Sequence, residues 1–219
     1  MTGRLVVLAS GNGTNCQALI DACDDGCLDA EIVAIITDVS TAGVIDRANT
    51  HNITVEVVSH VGKGAEQRAA DDLVLASVIA SYAPDLVVLA GWMRLLGRDL
   101  CNRFPVVNVH PALPGEFTGT RAIERAYDTW VDGRISRSGV MVHWVPDEAV
   151  DAGPVIVQRQ VAFVDGDTLD TFEDRIHRVE HTLIVEGVRL ALDSAPPIST
   201  GLPSTGRSLP PLVPNEVPT

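Results

Sequence analysis

At 219 residues the chain is long enough for one domain with a substantial core and short for two. Its formal net charge of -13, with 16 Lys plus Arg against 29 Asp plus Glu, leaves no basic face for nucleic-acid phosphates. No apolar run approaches the roughly 20 residues of a membrane span, the start Met1-Thr2-Gly3-Arg4 has no signal-peptide pattern and the four cysteines form no CxxC pair, so a reduced, cytoplasmic compartment is expected, with neither membrane nor nucleic acid as partner.

Residues 5–8 form the first short aliphatic run. Behind it, Ser10-Gly11-Asn12-Gly13-Thr14-Asn15 opens a helix near residues 16–20. Glycines let the backbone turn tightly and approach a ligand, while helix N-terminal amides and the dipole favour an anion. With side-chain donors from Thr14 and Asn15, this segment reads as a cradle for one phosphate; the alternative is a plain strand-to-helix turn. A full GxGxxG fingerprint is missing, because Cys16 stands in the third glycine's place, which argues against a dinucleotide.

Further strands are expected at 32–36, 53–58, 86–89 and 105–109. Residues 66–82 carry apolar side chains at helical spacing (Ala69, Leu73, Val74, Val78, Ile79, Tyr82). Strand–helix alternation with nearly continuous apolar strands predicts an α/β fold whose mostly parallel sheet is covered on both faces. After Gly133 the pattern changes, and runs 140–145 and 155–158, separated by a polar turn, read as an added antiparallel edge portion. A long amphipathic helix over 168–192 closes the fold. Residues 195–219 hold seven of the thirteen prolines among Ser, Thr and Gly, and read as a flexible tail to a domain spanning 1–194.

Two places along these elements carry chemistry. In Val106-Val107-Asn108-Val109-His110-Pro111 an apolar run ends in a polar pair and a proline. Residues two apart on a strand share a face, so Asn108 and His110 should project together from the strand's end. Asp151 lies on a turn before the run 155–157. An amide, an imidazole and a carboxylate at strand ends are what a carbonyl-transfer reaction needs; a His-Pro turn and an ordinary surface aspartate would look the same locally.

Four blocks in order, 6–20, 89–96, 108–115 and 151–156, resemble the folate-dependent glycinamide ribonucleotide formyltransferases. The resemblance covers roughly residues 4–192 and implies a Rossmann-like, mostly parallel twisted sheet with flanking helices. It also implies formyl transfer from 10-formyltetrahydrofolate to the ribonucleotide's amine in purine biosynthesis, with no metal. By the same resemblance Asn108, His110 and Asp151 are catalytic. Gly13, Thr14 and Asn15 hold the phosphate, and His177 and Glu180, three apart on one helix face, reach the ribonucleotide. Arg68, Trp92, Met93, Arg94, Leu95 and Leu96 meet the folate together with Asn108. Partners are then small molecules, and a homodimer is left open. Asp151 is expected to keep His110 charged near neutral pH.

The chain departs from the family pattern in two places. The double leucine after the catalytic His-Pro becomes Ala112-Leu113-Pro114-Gly115-Glu116, and the turn 146–151 is one residue longer. A formyltetrahydrofolate hydrolase and a methionyl-tRNA formyltransferase share the Asn-x-His and Asp chemistry, but they usually carry an extra N-terminal or C-terminal domain. A nucleotide-binding module using only the glycine loop would have no reason to carry the other blocks.

Overall fold

The computed structural model describes residues 2–60 and 64–194, so the tail expected at 195–219 lies outside the described residues. Strands β1 (Gly3–Leu8), β2 (Ala30–Thr37), β3 (Val55–Val57), β4 (Leu86–Leu89), β5 (Val106–His110), β6 (Arg137–Trp144) and β7 (Val155–Ala162) form one sheet in the order β3-β2-β1-β4-β5-β6-β7. Strands β1 to β5 pair in parallel, and β6 and β7 are antiparallel, as the change of pattern after Gly133 predicts.

The parallel strands are buried on both faces, and this explains their continuous apolar runs. Leu5 and Val7 of β1 face one core layer, completed by Phe172, Ile176, Leu183, Ile184 and Val188 of helix α6 (Leu169–Asp193). Val6 and Leu8 face the other, completed by Leu75 and Ile79 of α3 (Ala65–Ser81). Helix α6 begins where its sequence says it should. The Thr168 side chain accepts from the Thr171 amide and the Thr171 side chain answers the Thr168 amide, a reciprocal cap at the N-terminus. Close packing of α6 on the sheet needs Gly187, where a Cβ would meet the Val142 side chain at 2.6 Å.

Helix α1 spans Thr14–Asp24. Three helices went unread in the sequence: α2 (Val44–Thr50), α4 (Arg98–Arg103) and α5 (Ala122–Val131). The first two are too short to show a helical period. The third follows a glycine-rich turn that hides its start.

Strand order reverses direction at β1: the chain moves outward through β2 and β3, then returns to β4 on the other side. Loops leaving the carboxyl ends of β1 and β4 therefore part in opposite directions and open a crevice, the usual ligand position in such sheets.

Candidate active site

The crevice is a cavity of about 580 Å³, a volume ordinary for a small-molecule site. Its first wall is the loop after β1. Gly13 precedes α1 with φ 74°, and a Cβ there would lie 2.7 Å from Val44 of α2, so the loop lies flush against α2 only because the residue is glycine. No side chain caps α1, which leaves its first-turn amides without intrahelical partners at the cavity's edge. Arg47 holds the loop from behind, donating through Nε to the Asn12 carbonyl at 2.7 Å.

The second wall is the loop after β4, tied to the first where the Met93 amide donates to Ser10 Oγ at 3.1 Å. Gly91, with φ 82°, turns the chain out of the strand. Trp92 and Leu96 are buried in the second core layer, whereas Met93 is 69% exposed and Leu95 42% exposed. Arg94 lies over the Trp92 ring, 5.5 Å from its centroid, with Nη2 3.8 Å from the Asp71 carboxylate. Both its Nη atoms are buried without a hydrogen-bond partner, as is Trp92 Nε1. The neighbouring Asp72 accepts from the Gly97 amide at 2.8 Å, so α3 fastens the loop's far end.

At the end of β5 the strand period delivers the expected pair. Asn108 Nδ2 donates to Asp151 Oδ1 at 3.2 Å, and His110 Nδ1 lies 3.3 Å from Asp151 Oδ2. His110 Nε2 stands 3.1 Å from the Phe117 carbonyl. A carbonyl only accepts, so Nε2 carries the hydrogen and Nδ1 is the ring atom turned to the carboxylate. Asp151 takes a left-handed backbone, φ 51°, and accepts from the Gly119 amide at 2.8 Å.

A second imidazole, unforeseen in the sequence, joins them. His143 pairs with Asn108 across the β5–β6 register. Its Nδ1 donates to the Trp144 carbonyl at 2.9 Å, leaving Nε2 3.2 Å from Asn108 Nδ2 and 3.6 Å from Asp151 Oδ1. The signal for it was a polar side chain inside a buried strand.

A sequence model of formyl transferases matches residues 3–188. The chain belongs to the formyl transferase family. It is 39% identical over 204 residues to the phosphoribosylglycinamide formyltransferase of Dictyostelium discoideum, covering 87% of this chain and 98% of that protein. With the enzyme of the same name from Bacillus subtilis it shares 33% identity, over 81% of this chain and 89% of the other. The crystal structure of glycinamide ribonucleotide transformylase 1 from Geobacillus kaustophilus superposes with a TM-score of 0.78 at 39% identity, covering 88% of this chain and all of that one. The sheet order and flanking helices agree with the fold expected for such a formyl transferase.

Of the expected site residues, Gly13, Thr14, Asn15, Trp92, Met93, Arg94, Leu95, Leu96, Asn108, His110, Asp151, His177 and Glu180 all line this formyl transferase's cavity. Arg68 does not line it. It lies on α3 beside a neighbouring cavity of about 300 Å³, which it shares with His60, Arg94 and Leu95, so only Arg94 and Leu95 reach both. Asp147, Glu148, Ala149 and Val150, from the longer turn, close the cavity on the side of Asp151.

The electrostatics correct one expectation. Burial pushes the His110 imidazole below its usual range, and the Asp151 carboxylate and Phe117 carbonyl oppose this without cancelling it. Burial would raise the Asp151 carboxyl, but the neighbouring His143 and His110 imidazoles and the hydrogen bond from the Gly119 amide leave it below the usual range. Glu180, buried on α6, is raised by burial to about 7, with hydrogen bonding from Asn15 holding it back. His177 is more exposed, with Nε2 3.8 Å from both Glu173 and Glu180.

Proposed function

We propose that this formyl transferase moves the formyl group of 10-formyltetrahydrofolate to the amine of glycinamide ribonucleotide, giving the N-formyl product and tetrahydrofolate in de novo purine biosynthesis. One observation carries the reading. Asn108, His110 and Asp151 converge within hydrogen-bonding reach in the cavity that also holds the bare α1 N-terminus and the Trp92–Leu96 wall. Relatives of which this chain covers 98% and 89% are named phosphoribosylglycinamide formyltransferases.

The residues fit both substrates. Gly13, Thr14 and Asn15 present amides and side-chain donors to the phosphate. Glu180, with Asn15 beside it, receives the ribose hydroxyls or the glycinamide ammonium, while His177 at the rim supplies a donor. The Trp92–Leu96 loop offers an apolar wall to the folate's ring, and the Arg94 Nη atoms, ion-paired with Asp71 but without a hydrogen-bond partner, can donate to polar atoms of the folate. Arg68, in the adjoining cavity, extends that positive end.

Formyl-folate supplies the electrophilic carbonyl carbon. A C–N bond to the incoming amine forms, the C–N bond to the folate nitrogen breaks, and one proton passes from the first nitrogen to the second. Asn108, giving up its bond to either Asp151 Oδ1 or His143 Nε2, donates to the oxyanion of the tetrahedral intermediate. Asp151 takes the amine's proton through water and its charge favours imidazolium at His110. His110 returns a proton from Nδ1 to the departing nitrogen, since Nε2 is held by Phe117.

The test is formyl transfer from 10-formyltetrahydrofolate, run with and without glycinamide ribonucleotide. Formylated ribonucleotide only when the acceptor is present is the expected result. Folate deformylation at an equal rate without it would replace the proposal with a hydrolase, and ligand binding with no turnover would leave a nucleotide-binding module.

A further inference from the structure

We infer that Arg125 is a positioning residue for His110, acting through the carbonyl of Phe117. Its effect on rate rests on the formyl-transfer reading above; its effect on His110 does not. The loop between β5 and α5 reverses hand repeatedly: Gly115, Phe117, Gly119 and Arg121 have φ of 77°, 43°, 78° and 57°. Two of the four are not glycine, and L-residues hold such a backbone only where their surroundings impose it.

Arg125 supplies that constraint. From the first turns of α5 its Nη2 donates to both the Phe117 and Thr118 carbonyls at 2.6 Å, a charge-assisted clamp, while its Nε reaches the Arg121 carbonyl at 3.4 Å. One of the two clamped carbonyls, Phe117, is the partner of His110 Nε2. The next amide along, Gly119, is the one that binds Asp151 Oδ2. A single guanidinium therefore sets the orientation of both groups the loop lends to the site.

The chemical consequence is a choice of tautomer. With Phe117 O fixed, the neutral ring keeps its hydrogen on Nε2, and Nδ1, facing Asp151, becomes the atom that gains and loses the working proton. Once the carbonyl is released, that preference goes.

The test compares wild type with Arg125→Met and Arg125→Lys, by steady-state kinetics and by nitrogen-15 NMR of the His110 ring. Arg125→Met should lower kcat by about 10- to 100-fold, the scale of a small misplacement of a catalytic group, with KM for both substrates held within about threefold. Its neutral His110 should change from an Nε2-protonated ring to a mixture of tautomers. Lysine keeps the charge but lacks the planar fork and the Nε that steadies the side chain on the Arg121 carbonyl, so Arg125→Lys should fall between the two, and it decides the matter on the same readouts should the methionine variant not fold. Unchanged kcat, or a reduced kcat with His110 resonances like those of wild type, would overturn the inference. Absence of formyl transfer in the wild type would sink the proposed reaction, while the NMR comparison would still decide the role of Arg125.

Discussion

Replacing Asp151 by Asn leaves its volume and backbone almost untouched and removes one charge. That charge sits 3.3 Å from His110 Nδ1, and an adjacent carboxylate commonly raises an imidazole by 1–3 pKa units. Taking about 2, the loss is roughly 3 kcal/mol of preference for imidazolium. Burial already depresses His110, and with the carboxylate gone the Phe117 carbonyl alone opposes that fall. An amide also fits the site badly. Both Asp151 oxygens face donors, Asn108 Nδ2 on one side and the Gly119 amide on the other, so one must meet an NH2 group, a mismatch of about 1–3 kcal/mol. The rate needs protonated His110, and kcat falls as pH rises through the pKa of that residue in the complex. In the variant this falling limb should move toward acid by about 2 pH units, with kcat at pH 7 lower by about 100-fold or more. The assay is kcat from pH 5 to 9 with both substrates saturating. A variant profile parallel to that of wild type, merely lower, would refute the claim that Asp151 acts by charging His110.

His110→Ala should lower kcat by about 10²- to 10⁴-fold while glycinamide ribonucleotide affinity, read by calorimetry, changes little, because the imidazole works on the transition state. Gly13→Ala forces a Cβ to within 2.7 Å of Val44 at a φ of 74°, so a loss of about 1–3 kcal/mol is expected, seen as a lower Tm together with weaker binding of inorganic phosphate. Glu180 rises from 4.5 unfolded to about 7 folded, so the folded chain binds the extra proton between those values and its stability declines as pH rises through that window. The decline attributable to this carboxyl is about 3 kcal/mol, and Glu180→Gln should abolish it; urea unfolding at pH 5 and pH 8 makes the comparison, and an equal decline in both proteins would remove Glu180 as the source.

Which parts of the site were legible follows from how far each signal reaches along the chain. Asn108 and His110 are two residues apart on a strand, so the period of 2 was enough to put them on one face. The glycine loop was equally local. Asp151 was legible as a carboxylate on a turn before a strand, but no periodicity connects it to β5, and the Trp92–Leu96 loop came from resemblance alone. His143 depends on register: only the antiparallel pairing with β5 sets it against Asn108, and pairing partners are not encoded in either strand alone. Arg68 shows the converse. Its helix was read correctly, but which cavity a helical side chain meets depends on how α3 rolls against the sheet, and α3 turns Asp71 and Asp72 toward the Arg94 loop while Arg68 lies beside the smaller cavity.

The order of the strands also imposes a measure of length. In the proposed reaction the anion cradle hangs from β1 and the reacting groups from β5, with β4 alone between them. Two inter-strand steps of ~4.8 Å separate these anchors by ~10 Å, across a sheet whose hydrogen bonds do not stretch. On that proposal the sheet acts as a caliper. An amine tethered closer to its phosphate would stop short of Asn108 and His110, and one on a longer tether would overshoot them, so acceptors are sorted by reach before any atom of the reacting carbon is tested.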